Sequence, residues 1–570
     1  MNANMFSDCP SPATTSFSSS WFKSFCSSSL RSKPLTRGVP LETGEGLVRQ
    51  LSLLDLIFIG LGCTIGAGIF VICGTAARDV GPGVVVSFLL AGFTCLLNAF
   101  CYAELSSCLP AIVGGAYMYS YVAFNELTAF LIFAQLMVDY HISTATIARS
   151  LASYLVMLLN IFPFFRENWP GWMVASGVEL FGGVLSINLL APILVLLMTL
   201  ILCRGLRELT LMNSFMTVTK VLIILLVILI GAFEVDISNW SPFAPNGYKA
   251  IITGSTVVAY AYAGYDSIAS SAEESKRPQR DLPLGILVCV LSCGVLYIGV
   301  CLVITGMVSY KSLGVDAPLA EAFAAKGLKF ISVVISGGAV AGLTTNLLGH
   351  IYSKSRIYVG LGRDGLLPSI FAKVHPTRHI PIHSQVWVGT IVGIIAGLFD
   401  VHRLSHILSV GGLASSSVVS ACVVTLRLKH KDTRLTYMLG ITTYQKGVIC
   451  FLGVASCGFL TGLLYQCNAS NICILALVVM AVLFAVVLHY NQEYAAPSGF
   501  SCPGVPFVPL VCIFFNLFLF AQLHWEAWVR FAVVGIVSIG LYAVYGQHHA
   551  NLAASDNQHN YHKLPSGESQ

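Results

Sequence analysis

The sequence predicts an all-α integral membrane protein that crosses the bilayer about fourteen times. Three observations lead there. Of 570 residues, 56% are hydrophobic and only 10% charged, against about 25% charged in an ordinary soluble domain. Apolar runs of about 20 residues, the length that crosses a hydrocarbon core as a helix, recur from Leu51 to Tyr545. With both termini placed on the cytoplasmic side, most of the 31 Lys and Arg fall in inner segments, as short cytoplasmic loops favour.

Taken in order, the runs place spans near 52–74, 84–109, 127–157, 183–203, 210–233, 251–272 and 283–308. Seven more follow near 328–358, 385–400, 404–426, 447–465, 470–490, 505–523 and 528–546. Residues 1–50 are rich in Ser, carry Lys23, Arg31, Lys33, Arg37 and Arg49, and contain no apolar run ending in a small-residue cleavage site. They read as a disordered cytoplasmic tail without a signal peptide, and residues 547–570 as a second cytoplasmic tail.

Cys63, Cys73, Cys95, Cys101, Cys289, Cys293 and Cys301 sit inside apolar runs, where cysteine packs as a small hydrophobe. No Cys/His spacing fits a metal site and no nucleophile–base pair stands out. Neither metal nor cofactor is expected, an enzyme is not expected, and nothing in the charge pattern points to nucleic acid.

The first span reads Leu61-Gly62-Cys63-Thr64-Ile65-Gly66-Ala67-Gly68-Ile69-Phe70. Each glycine costs about 1 kcal/mol against alanine inside a helix. Two readings stand. The glycines let helices pack closely, or they mark a discontinuous helix whose second half starts with the N–H groups of Ala67, Gly68 and Ile69. In the second reading the carbonyl of Thr64 is left to accept from an ammonium group, and one break grips both ends of an α-amino acid. A second candidate break lies five spans on, in Tyr260-Ala261-Tyr262-Ala263-Gly264-Tyr265-Asp266. Transporters built from inverted repeats place broken helices at such corresponding positions, with the substrate between them.

A charge at mid-bilayer costs about 2.5–3.5 kcal/mol on insertion scales, so Asp139, Lys220 and Asp266 need partners or a watery site. Asp139, mid-way along the third span, serves either a hydrogen bond or ion pair between helices, or recognition of a cation or proton exchange. Lys220 in the fifth span either snorkels, switches charge during transport, or takes the place of a coupling sodium ion. Asp266, just after the second break, is a candidate gate. Glu104 and Asp55 lie nearer span ends and read as capping or pairing residues. The charged stretch Glu273-Glu274-Ser275-Lys276-Arg277-Pro278 reads as an inner turn.

Between Leu51 and Gly546 the chain resembles the cationic amino acid transporters, plant type, of the amino acid, polyamine and organocation superfamily. The marks are Gly66-Ala67-Gly68-Ile69-Phe70, Tyr102-Ala103-Glu104-Leu105, Gly114-Gly115-Ala116-Tyr117, Ala272-Glu273-Glu274 with Pro278-Gln279-Arg280-Asp281-Leu282-Pro283, Arg363-Asp364-Gly365-Leu366-Leu367-Pro368 and Cys502-Pro503-Gly504-Val505-Pro506. The resemblance implies fourteen spans: a ten-helix transport core over 51–427 made of two inverted five-helix repeats with discontinuous helices 1 and 6, and four additional helices over 428–546.

It also implies that backbone groups at Thr64, Ala67, Gly68, Ile69, Tyr260 and Ala263, beside Gly264, bind the substrate's α-amino and α-carboxyl groups, with Asp139 as the acidic residue of the third span. Lys220 matches a family lysine near the place where relatives bind sodium, which implies coupling to protons or facilitated exchange, with Lys220 and Asp266 in coupling or gating. Two departures bear on cargo: Val138-Asp139-Tyr140 stands where the family commonly has Leu-Glu-Tyr, and tyrosines replace a Phe-rich approach to the second break. The reading is a secondary transporter of amino acids, cationic by family default and neutral ones included. Its partners are the amino acid, the bilayer and protons, and the vacuolar membrane is favoured although plasma-membrane relatives share the motifs. A non-transporting amino acid sensor with the same fold is the alternative.

Overall fold

The computed structural model describes residues 25–32, 49–109, 115–159, 178–180, 185–204, 206–314, 317–376, 378, 380–399, 404, 410–428, 443–497 and 499–550. Most of the N-terminal tail, the C-terminal tail beyond residue 550 and the basic stretch 429–442 lie outside them.

Hydrophobic length builds the architecture. Among the described residues, ten helices are long and apolar enough to cross a bilayer, from Leu53–Val80 to Trp525–His549. Three shorter apolar helices, Leu190–Leu202, Ile382–Leu398 and Phe507–Ala521, hold the places of the fourth, ninth and thirteenth spans. The broken segment 247–270 is the sixth. The expected series of about fourteen is thereby complete.

Local chemistry sets several boundaries. The first span opens with a capping box: Ser52 Oγ accepts from the Asp55 N–H, and Asp55 Oδ2 accepts from the Ser52 N–H at 2.9 Å. That is the capping role expected of Asp55. The fourth span begins at Leu190 rather than near 183, because residues 185–187 pair as a strand with 178–180 in an antiparallel hairpin. Asn188 Oδ1 then accepts from the Leu190 and Ala191 N–H groups at 2.9 and 3.1 Å and starts the helix.

The first span is the centre of the molecule, packed against spans five, six, seven and eight. It is the most deeply buried of the long spans, whereas Asn471–Tyr490 and Trp525–His549 are largely exposed and face outward. Spans eleven to thirteen pack on one another, span thirteen packs on span ten, and span fourteen lies along span three. Polar pairs tie these layers where lipid offers no competing water. Asn98 and Asn516 exchange amide hydrogen bonds at 3.0 and 2.8 Å between spans two and thirteen. Glu104 accepts from Arg427 Nε and Nη2 at 2.6 and 2.5 Å and from the Cys502 N–H at 2.7 Å, the pairing expected of it.

Residues 25–32 depart from the disordered tail that their composition predicts. Residues 25–29 are helical, Phe25 packs edge-on to Tyr542 at 5.9 Å, and the Arg31 carbonyl accepts from the Glu126 N–H at 2.7 Å. One ring and one helix N-terminus supply this anchorage, and serine-rich composition averages both away.

Candidate substrate site

Both suspected breaks exist and they face each other. In the first span an α-helix ends at Thr64, Ile65 turns to extended backbone, and a π-helix runs Gly68–Ile72 before the α-helix resumes at Cys73. In the sixth, Gly247–Ala259 passes through a 3-10 turn at Tyr260–Tyr262, Ala263 is extended, and a short helix starts at Tyr265. Gly264 between them has φ +148°, which L side chains rarely adopt. A Cβ there would lie 2.4 Å from Thr64 Oγ1, and a Cβ on Gly68 would lie 2.5 Å from the Ala261 Cα. The interrupted segments thus meet backbone against backbone, an approach only glycine permits.

A helix that stops leaves carbonyls without partners, and here side chains reach them. Lys220 Nζ, fully buried, donates to Gly62 O at 2.8 Å and Ile65 O at 2.9 Å. Asn346 Nδ2 donates to Cys63 O at 2.7 Å, with His350 Nε2 3.1 Å from the same oxygen. Tyr297 OH donates to Thr64 O at 2.8 Å and lies 3.0 Å from Ala261 O, bridging the two breaks. The Thr64 carbonyl, expected to wait for an ammonium group, already has this donor. Of the expected N–H donors, that of Ile69 bonds Gly66 O at 3.1 Å within the turn.

Beside the second break opens a cavity of about 90 Å³, several times the space one water needs. Asp139, Tyr260, Ala263, Gly264 and Asp266 line it. Thr64, Ala67, Gly68 and Ile69 are buried behind Gly264 and Ala261 and do not line it, and neither does Lys220. Both cavity carboxylates have basic partners. Asp266 Oδ2 accepts from Tyr140 OH and lies 3.5 Å from Lys354 Nζ, which sits 3.4 Å from the Tyr140 ring centroid. Asp139 Oδ1 pairs with Arg530 of the last span, and Oδ2 accepts from the Gly412 N–H at 2.8 Å.

The motif turn lies outside the cavity lining and is held by its own network. Glu274 Oε1 accepts from Arg356 Nε at 2.8 Å, and Tyr352 OH donates to Oε2. The Glu274 carbonyl holds the N–H groups of Gln50 and Leu51, at 3.0 and 2.9 Å, so this turn anchors the approach to the first span.

A family model for amino acid permeases matches residues 51–541, nearly everything between the tails. The chain belongs to the amino acid permease family. The permease is 59% identical over 559 residues to Cationic amino acid transporter 9, chloroplastic, of Arabidopsis thaliana, which covers 97% of both chains. It is 41% identical to the Methylthioribose transporter of Bacillus subtilis, over 72% of this chain and 88% of that one. Cationic amino acid transporter 4, vacuolar, of Arabidopsis thaliana is 31% identical over 89% and 93%. These relatives are transporters rather than enzymes, so amino acid transport stands for the permease and the sensor alternative is not favoured.

Residue-by-residue reading located the two breaks and Lys220 but missed Tyr297, Asn346, Lys354 and Arg530. Of these, Lys354 lies in the eighth span and Arg530 in the fourteenth. The available signal was their place inside apolar helices, Lys329–Arg363 and Trp525–Leu541, where a basic residue needs a partner.

Proposed function

We propose that the permease moves its amino acid by alternating access through the cavity beside the sixth-span break, without sodium, coupled to protons or by facilitated exchange. Lys220 carries this reading. Carbonyls left by a broken helix are the usual ligands of a coupling cation, and here a buried ammonium spans Gly62 O and Ile65 O. The Lys220 side chain thereby takes the carbonyls that a coupling cation would otherwise use.

The backbone at Tyr260, Ala263 and Gly264 is the platform for the α-amino and α-carboxyl groups. Ala67 and Gly68 add donors when the two breaks move apart in the cycle, and Asp266 with Tyr140 and Lys354 gates the cavity. The face holding the Glu274 turn is cytoplasmic in this reading, because the basic loops cluster there. Cationic cargo is supported by the names of two relatives; the third is named for a sugar derivative, so cargo charge is not a family constant. The vacuolar membrane is supported by one relative's name and the chloroplast by another's, and a fluorescent fusion viewed against markers for both assigns the compartment.

The test is uptake of radiolabelled amino acids by proteoliposomes holding the purified full chain. Replacing sodium by choline is expected to leave initial rates within about twofold, and collapsing a pH gradient to reduce accumulation more than exchange. Uptake that needs sodium would refute the assignment of Lys220.

A further inference from the structure

Asp139 is the one acidic residue of the third span that faces the cavity, and both of its oxygens are engaged. Oδ1 meets Arg530, brought in by the last span, and Oδ2 holds the Gly412 N–H. The side chains are 8% and 11% exposed. Space is tight around the pair: a Cβ on Gly411 would lie 2.4 Å from Gln135 O and 3.0 Å from Asp139 Oδ2. The same helix contact is fixed one turn away, where Gln135 Nε2 donates to Phe531 O at 2.8 Å. The second cavity carboxylate, Asp266, has Lys354 at 3.5 Å. Each acid on the cavity wall is thus matched by a base, so a cationic cargo side chain meets a balanced site rather than a fixed negative charge.

We infer that Arg530 is a positioning residue that sets cargo selectivity: by neutralising Asp139 it admits neutral amino acid side chains and withholds an acidic anchor from cationic ones. The inference rests on the amino acid transport reading and gives a role to a helix outside the ten-helix core. Because Arg530 does not itself line the cavity, its effect passes through Asp139, and three variants carry opposite signs. Arg530→Gln frees the carboxylate and raises the uptake of lysine relative to leucine. Asp139→Asn leaves the guanidinium facing the cavity wall and lowers that ratio. The double variant removes both charges and returns the ratio to the wild-type value.

The experiment measures competition by lysine and by leucine against a labelled amino acid in proteoliposomes of the full chain. The expected result is a rise of about tenfold or more for Arg530→Gln, a fall for Asp139→Asn, and wild-type selectivity for both Arg530→Lys and the double variant. An unchanged ratio in an active Arg530→Gln protein overturns the inference. Loss of all uptake in the double variant, where no charge is left uncompensated, also overturns it by assigning the pair to folding. Absence of amino acid uptake by the wild-type chain is the distinct result that defeats the transport reading and takes this inference with it.

Discussion

Gly264 concentrates the sixth-span break in one residue. Its φ of +148° and its contact with Thr64 impose separate demands, since a side chain would be strained by the backbone and would also strike Thr64 Oγ1. Gly264→Ala is therefore expected to cost about 1–3 kcal/mol from strain alone. The measurements are a lower melting temperature in detergent and loss of uptake by protein still inserted; an unchanged melting temperature would show that the break relaxes around a methyl group. Gly68 is constrained by contact only, against Ala261, so its replacement pushes the two breaks apart without a backbone penalty of its own.

At the scale of elements, the broken first span is held in place by its neighbours. Lys220 from the fifth span, Tyr297 from the seventh, and Asn346 and His350 from the eighth satisfy consecutive carbonyls from Gly62 to Ile65. Each buried acceptor stripped of its donor costs about 1–3 kcal/mol. Lys220→Met, which keeps the apolar stem, is expected to insert in amounts within about twofold of wild type and to lose about tenfold or more of its uptake rate per inserted molecule. Normal uptake would show that the ammonium only fills space.

These elements also mark how far the sequence could be read. The first break was legible because a glycine cluster weakens a helix, the second because Gly264 stands five spans further on, and Asp55 was legible as a capping or pairing residue because it lies near a span end. Partners were not legible. Arg530 is 391 positions from Asp139 and Lys354 is 88 from Asp266, and no periodicity encodes a pairing across helices. The same limit explains why the Thr64 carbonyl was expected to be open: its donor, Tyr297, is 233 residues away. The late start of the fourth span escaped for a local reason, since Leu185 and Ile187 extend the apolar run of the helix they precede.

Over the whole molecule, the chain's beginning is tied to its end. Glu126 of the third span accepts from Tyr121 OH at 2.7 Å and Tyr542 OH at 2.8 Å, and its N–H holds the Arg31 carbonyl. Deleting residues 1–24 is expected to leave thermal stability unchanged, whereas deleting 1–32 removes this contact and lowers the melting temperature in detergent by about 2–4 °C. Equal melting of the two truncated chains would show that the docked segment contributes nothing to the fold.

Arg31 Nη2 also reaches the Gln547 carbonyl, at 3.2 Å. Two stretches in direct contact cannot lie on opposite sides of a membrane, so the parity of the crossings is fixed whatever organelle houses them. In sealed vesicles of uniform orientation, epitopes fused to the two extremities should be shaved by added protease together or shielded together.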